Sequence, residues 1–298
     1  MSRTKVWIQA FRLRTLPLAF SSILLGGFLA AGKGAFDWVI LGLSLLTTLF
    51  LQVLSNLAND YGDSQSGVDG ADREGPSRTV QTGLITREQM KKALIVCSLL
   101  ALFSGVGLII YSFPDDWKMA LVFVFIGLGA IAAAIKYTVG SNPYGYSGFG
   151  DLFVLLFFGY VGVLGSYYLY SNELILIQLL PATTCGLFSV AVLNVNNIRD
   201  IESDKISGKN SIPVRLGRSR AVIYHWLLLL VGVGCALAFA MVSHFQNTDW
   251  IFLVTLPLMF VNARAVHVKK TAKELDPFLK QMALTTLLFV LLFGWAVS

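Results

Sequence analysis

Long apolar runs alternate with short polar interruptions along the chain, and each run is long enough to cross a hydrocarbon layer of roughly 30 Å as a helix. The runs fall at about 16–36, 38–59, 93–112, 117–139, 149–170, 174–197, 221–243, 250–268 and 281–297. Their continuous apolarity and length predict helices rather than strands, and nine spans. The polar interruptions at about 60–92, 198–220 and 264–280 are too short to bury cores of their own. A single all-α, polytopic membrane domain over residues 1–298 is therefore expected, a bundle of nine transmembrane helices around a cavity opening toward the cytoplasmic side. Small residues inside the runs, such as Gly159, Gly162 and Gly165, predict close helix–helix approach. A basic segment before the first run has the outline of a signal peptide. Arg14-Thr15-Leu16-Pro17 reads instead as a helix entry, and the run exceeds the usual signal length, so a retained helix is expected.

Composition strengthens this picture: 55% of the 298 residues are hydrophobic and 13% charged, with mean hydropathy +0.69, which excludes an ordinary soluble domain. The formal charge of +6 would suggest nucleic acid in another setting. Here the basic residues flank the spans, where topology and anionic lipid account for them, and no nucleic-acid partner is expected. When loops are assigned to alternate sides, only Lys33 and Lys118 of the 23 Lys and Arg fall opposite the rest. The N-terminus and the four larger polar loops are thus expected in the cytoplasm and the C-terminus outside, in a multi-pass protein of the cytoplasmic (inner) membrane. Cys97, Cys185 and Cys235 lie in separate apolar runs with no CxxC pair, which points to core residues rather than a disulfide framework. His225, His244 and His267 lack ligand spacing and are expected at membrane interfaces.

Two acidic clusters stand out against this background: Asn56-Leu-Ala-Asn59-Asp60-Tyr-Gly-Asp63 and Asn196-Asn197-Ile-Arg199-Asp200-Ile-Glu202-Ser-Asp204. Each closes an apolar run on the same predicted side, and spacings of three and four residues place the polar groups on one helix face. Carboxylates at a membrane boundary are costly unless paired, solvated or bound to a cation. Hard oxygen donors from two helix ends suggest Mg²⁺, held by a few carboxylates, water and a substrate phosphate; Mn²⁺ accepts similar ligands. The candidate ligands are Asn56, Asp60, Asp63, Asp200 and Asp204. The loops that follow carry Arg78, Lys209 and Arg215, cations suited to the rest of a diphosphate. Asn196, one helical turn before Asp200, joins the expected substrate contacts.

These residues resemble the UbiA superfamily of intramembrane prenyltransferases, whose mark is two Asp-rich motifs at the cytoplasmic ends of the second and sixth of nine helices. The resemblance implies that a polyprenyl diphosphate binds through Mg²⁺ between the motifs and alkylates an aromatic acceptor. Asn56, Asp60 and Asp63 match the first motif, and Asp200 and Asp204 the second. Position 67 is Gly where the family pattern keeps Asp, and the next Asp is Asp69. That departure resembles the branch acting on 1,4-dihydroxy-2-naphthoate in menaquinone synthesis. So do Arg14-Thr-Leu-Pro17, Gly75-Pro76-x-Arg78, Gly83-Leu-Ile-Thr86, Tyr137-Thr138-Val-Gly140, Pro143-Tyr-Gly-Tyr146, Gly148-x-Gly150-Asp151 and Gly208-Lys-Asn-Ser211. The matches cover about residues 12–220. Prenylation of dihydroxynaphthoate with loss of CO₂ and diphosphate is the activity implied, and the lipid bilayer, the polyprenyl diphosphate and the naphthoate are the partners, with no obligate protein partner.

Tyr137 is a candidate for stabilising an allylic cation by cation–π contact, against its ordinary role at a membrane interface. Lys136 and Asp151 are candidates for contacting the acceptor; Asp151 could also pair with Lys136 or sit at a helix N-terminus for its dipole. Three other functions compete. A 4-hydroxybenzoate prenyltransferase shares both motifs. A secondary transporter would place its charges near the midplane on broken helices rather than on one face. A CDP-alcohol phosphotransferase keeps its acids in one compact motif, whereas here Ser64 follows Asp63 and the second cluster lies far along the chain. The charge asymmetry carries a direct test: a reporter fused after Ser298 is expected to be exposed outside the cytoplasm, and a cytoplasmic signal would refute the topology.

Overall fold

The computed structural model describes residues 2–66 and 79–298. Among these residues nine helices are long and apolar enough to cross a membrane: Arg3–Ala31, Trp38–Gln65, Arg87–Ser112, Trp117–Lys136, Gly150–Ser171, Leu176–Arg199, Arg218–Val242, Asp249–Val268 and Ala272–Val297. No strand occurs among them. The chain is a multi-pass, all-helical membrane protein, as the apolar runs predict. Asp69 and Arg78, which follow the first acidic cluster in sequence, lie outside the described residues.

The helix ends follow local chemistry. Arg12 adopts a left-handed conformation (φ 49°) that closes a short helix Arg3–Phe11, a 3₁₀ turn Leu13–Thr15 follows, and Pro17 stands in the first turn of Leu16–Ala31. Proline is tolerated there because its missing N–H would be unpaired anyway. Reciprocal capping boxes start the third and ninth helices, Thr86 with Gln89 and Thr271 with Glu274, and the Asp116 side chain caps the fourth. Trp38 and Trp117 are exposed at helix starts away from the acidic clusters, as expected of aromatic side chains at a membrane interface.

The sixth helix is the most enclosed, with 61% of its most apolar stretch buried, and the fourth the least, with 6%. The sixth packs on the fifth, seventh and ninth, and the first packs on the fifth and ninth. Phe188, Phe252, Phe289 and Phe293 fill the space between the sixth, eighth and ninth helices, with ring centroids 5.1–5.5 Å apart. Phe103, Phe125 and Leu230 face outward, a cost in water and none in lipid. His225 differs from the interfacial placement expected: it is fully buried within the seventh helix, and its Nε2 lies 3.0 Å from Asn262 Oδ1. Asn262 donates in turn to the Phe278 carbonyl at 2.8 Å, so the imidazole closes a polar contact between helices that lipid could not satisfy.

The fifth helix contains a wide-turned π segment, Leu155–Gly165, where it crosses the sixth. At that crossing Gly159 and Gly186 meet backbone to backbone: a Cβ at Gly186 would lie 2.6 Å from Leu155 Cδ1 and 3.0 Å from Gly159 Cα. Gly186→Val is expected to destabilise the detergent-purified protein by about 1–3 kcal/mol through overpacking, read as a lower thermal midpoint. An unchanged midpoint would show that the crossing can open without cost.

Candidate active site

The two acidic clusters end the second and sixth helices, and their carboxylates have different surroundings. Asp60 is 1% exposed, and its Oδ2 accepts from the Thr79 N–H at 3.0 Å and the Thr79 hydroxyl at 2.6 Å, while Oδ1 accepts from the Val80 N–H at 3.3 Å. It anchors the return of the chain after the first acidic loop. Asn56 also holds structure together: its amide nitrogen donates to the Phe11 carbonyl at 2.9 Å and the Thr15 hydroxyl at 3.0 Å. That contact ties the Arg14–Pro17 turn to the second helix. Asp63 is buried near the end of the helix and accepts a short hydrogen bond from the Tyr146 hydroxyl. Beside it opens a cleft of about 350 Å³, lined among others by Ser64, Val80, Gln81 and Arg87.

In the second cluster Arg199 grips Asp200 with Nε and Nη2, both at 2.8 Å, and Nη2 also donates to Asn196 Oδ1 at 2.9 Å. Asn196 is therefore engaged with the guanidinium, while neighbouring Asn197 is buried with its Oδ1 lacking a hydrogen-bond donor. Asp204 lies one turn beyond Asp200 on the short helix Ile201–Ile206. Lys209 Nζ donates to its Oδ1 at 3.3 Å and lies 3.1 Å from Oδ2, which has charge compensation without a directed hydrogen bond. Burial pushes the Asp204 carboxyl above its usual range; Lys209 pulls it down, and the negative charges of Asp200 and Asp63 push it up again. Asp63 and Asp204, from the two clusters, are thus electrostatic neighbours.

The 137–151 segment sits between the clusters. The Thr138 hydroxyl donates to the Ala58 carbonyl at 2.9 Å, and the Tyr146 carbonyl accepts from the Asn210 N–H at 2.8 Å, so one loop touches both helix ends. Tyr137 packs edge-on against Tyr144 with ring centroids 5.4 Å apart, and Tyr144 stacks on Phe153 at 4.0 Å. These three rings form one aromatic run that leads from the loop into the fifth helix. Asp151 is buried and accepts from the Tyr224 hydroxyl at 2.9 Å, so its partner is Tyr224 rather than Lys136, which is exposed at the end of the fourth helix. Arg215 donates to the Ser147 carbonyl at 2.6 Å and the Asn210 carbonyl at 3.2 Å, fastening two loops together. Arg78 lies outside the described residues. Tyr146, Asn197 and Tyr224 are the polar groups that sequence spacing does not single out. Asn197 carries a signal, since it lies seven residues before Asp204 on one helical stripe.

Among the described residues no three Asp, Glu, His or Cys side chains form a ready-made metal cage. Mg²⁺ does not demand one, because it keeps several waters and binds through few protein oxygens plus phosphate. Asp204 Oδ2, buried without a directed hydrogen bond and electrostatically close to Asp63, is a hard oxygen donor of the kind such an ion takes.

Residues 19–288 match the UbiA prenyltransferase family. The chain belongs to that family. It is 45% identical over 295 residues to a 1,4-dihydroxy-2-naphthoate octaprenyltransferase of Escherichia coli, covering 98% of this chain and 96% of the relative. The same-named protein of Haemophilus influenzae is 44% identical over 296 residues, covering 98% and 95%. Among solved structures, the fold is similar to an apo UbiA homolog from Aeropyrum pernix (TM-score 0.67, 14% identity, 97% and 96% covered). It is also similar to a UbiA homolog from Archaeoglobus fulgidus bound to GPP and Mg²⁺ (TM-score 0.63, 18% identity, 96% and 98% covered). In this member of the UbiA family, Asp60→Ala is expected to strand the Thr79 donors and cost about 1–3 kcal/mol. Faster proteolysis between residues 79 and 87, with a lower thermal midpoint, is the readout; unchanged cleavage would remove the anchoring role.

Proposed function

We propose that the chain transfers a polyprenyl group from its diphosphate to 1,4-dihydroxy-2-naphthoate, releasing diphosphate and CO₂ and giving a demethylmenaquinol. The observation that carries this reading is the 45% identity, over nearly the whole of both chains, to an enzyme named for that acceptor. The two facing acidic clusters support it chemically. Asp63 and Asp204 are the residues that would hold Mg²⁺, which when bound would neutralise the departing diphosphate; Mn²⁺ is expected to substitute. Lys209 would neutralise a further phosphate oxygen, and Arg78 is proposed for the same task. Asp60, Asp200 and Asn56 act in this reading by holding the helix ends and loops in place.

The allylic C–O bond breaks with its electron pair leaving on the diphosphate. The carboxylate-bearing ring carbon of the electron-rich hydroquinone then forms the new C–C bond, and the carboxylate departs as CO₂, its electrons restoring aromaticity. The run of Tyr137, Tyr144 and Phe153 offers ring faces to the allylic cation and excludes water that would capture it. Asp151 with Tyr224, and Lys136, are proposed to orient the acceptor. The enzyme works from the cytoplasmic membrane with its acidic end and N-terminus in the cytoplasm.

A membrane-fraction assay offering one polyprenyl diphosphate with both dihydroxynaphthoate and 4-hydroxybenzoate tests the reading. The expected product is a decarboxylated prenyl naphthoquinol by mass spectrometry; a product retaining the carboxyl group, or turnover of hydroxybenzoate alone, would overturn it. Asp63→Asn and Asp204→Asn are each expected to lower turnover about a hundredfold or more, with the protein still inserted in the membrane.

A further inference from the structure

A groove of about 330 Å³ runs between the eighth and ninth helices, lined among others by Leu258, Pro277, Lys280, Leu284 and Leu288. On the ninth helix Pro277, Lys280, Leu284 and Leu288 recur at steps of three and four residues and are all exposed, and Lys273, one turn earlier, continues the same stripe. The other face of that helix, with Met282, Phe289 and Phe293, is the one packed in the core. The stripe therefore looks out toward lipid, with two ammonium groups at one end and aliphatic side chains along the rest.

The charged end lies at the level of the second acidic cluster, because Asp276, between the two lysines, accepts from Arg199 Nη1 at 2.7 Å. Among the described residues neither Lys273 nor Lys280 has an ion-pair partner. Gln281, the polar neighbour in the lining, is already engaged: its amide donates to the Leu258 carbonyl and the Thr285 hydroxyl, both at 3.0 Å, and its oxygen accepts from Asn262. Lys280 stands eight residues past the helix start at Ala272, about 12 Å along the axis, a depth at which a lysine reaches back to the level of lipid phosphates. From Lys280 to Leu288 is a further ~12 Å, close to the ~15 Å of one hydrocarbon leaflet.

We propose that this groove binds one phospholipid of net negative charge, from the leaflet at the acidic end of the bundle. Its phosphate meets Lys280, Lys273 adds positive charge at the helix start, and an acyl chain lies against Leu258, Leu284 and Leu288. A zwitterionic headgroup carries its own ammonium, which offsets the attraction of the lysines, so charge selects the anionic lipid. The site shares no side chain with the acidic clusters and stands independently of the reaction proposed above.

The test titrates the full chain, purified in detergent, with phosphatidylglycerol and separately with phosphatidylcholine of the same acyl chains, and counts retained lipid by native mass spectrometry. Wild type is expected to hold its first phosphatidylglycerol about fivefold more tightly than phosphatidylcholine. Lys280→Gln is expected to bring phosphatidylglycerol down to the phosphatidylcholine level, with phosphatidylcholine within about twofold of wild type. Lys33→Gln, at the other end of the bundle, keeps the wild-type preference. Leu284→Trp, which fills the groove and leaves the charge, is expected to weaken both lipids. No preference in wild type, an unchanged preference in Lys280→Gln, or undiminished retention in Leu284→Trp would each overturn the proposal. Displacement of phosphatidylglycerol by geranyl diphosphate would overturn it as well, by giving the groove to a prenyl diphosphate.

Discussion

An ionised carboxylate at the end of an apolar helix loses much of its hydration, and the effective penalty for a buried ion is several kcal/mol unless other groups replace the water. Among the described residues, the four acids Asp60, Asp63, Asp200 and Asp204 of the two clusters are buried in this way. Each has a different compensation: backbone and hydroxyl donors for Asp60, a phenol for Asp63, a guanidinium fork for Asp200 and an ammonium for Asp204. The partners of Asp60, Asp63 and Asp204 come from the loops at 79–80, 137–151 and 207–211, so satisfying these carboxylates folds the loops over the helix ends.

The four differ in how directed donors reach their oxygens. Both oxygens of Asp60 and of Asp200 accept directed hydrogen bonds, which use part of the roughly four acceptor sites of each carboxylate. Asp204 keeps an oxygen with charge compensation alone, and burial with two neighbouring acids holds its carboxyl above the usual range. A divalent cation bound there would relieve that repulsion. The same distinction explains why two residues of the first motif, Asn56 and Asp60, serve the framework while Asp63, three residues on, faces the cleft.

The spans and the two acidic clusters are legible in sequence because lipid imposes one-dimensional rules: a crossing helix must be continuously apolar, and charge must gather at its ends. The helix entry at Arg14–Pro17 is readable for the same local reason. Partner choice is not. Asn196 and Asn197 are adjacent and chemically identical, and only the fold shows that Arg199 occupies the first and leaves the oxygen of the second without a donor. Proximity in sequence suggests Lys136 as a partner for Asp151, whereas Tyr224, 73 residues away, supplies its hydrogen bond. His225 has no periodic signature that separates an interfacial histidine from a buried one, and Asn262 on another helix decides the matter.

The arrangement also accounts for the order of the layers below the charges. A diphosphate needs cations and polar donors, and these gather at the helix ends. The allylic carbon attached to it needs the opposite, a surrounding without water or nucleophilic side chains. Tyr137, Tyr144 and Phe153 lie on the 137–153 stretch that leads from the Asp63 contact at Tyr146 down into the fifth helix, so one short segment serves both requirements. Burial raises the Tyr144 phenol further above its ordinary range, with Tyr137 adding to the effect, and keeps it a neutral ring rather than a competing nucleophile. In the proposed reaction the cation would form where the protein offers π faces in place of lone pairs, which leaves the bound acceptor as the nearest electron-rich partner.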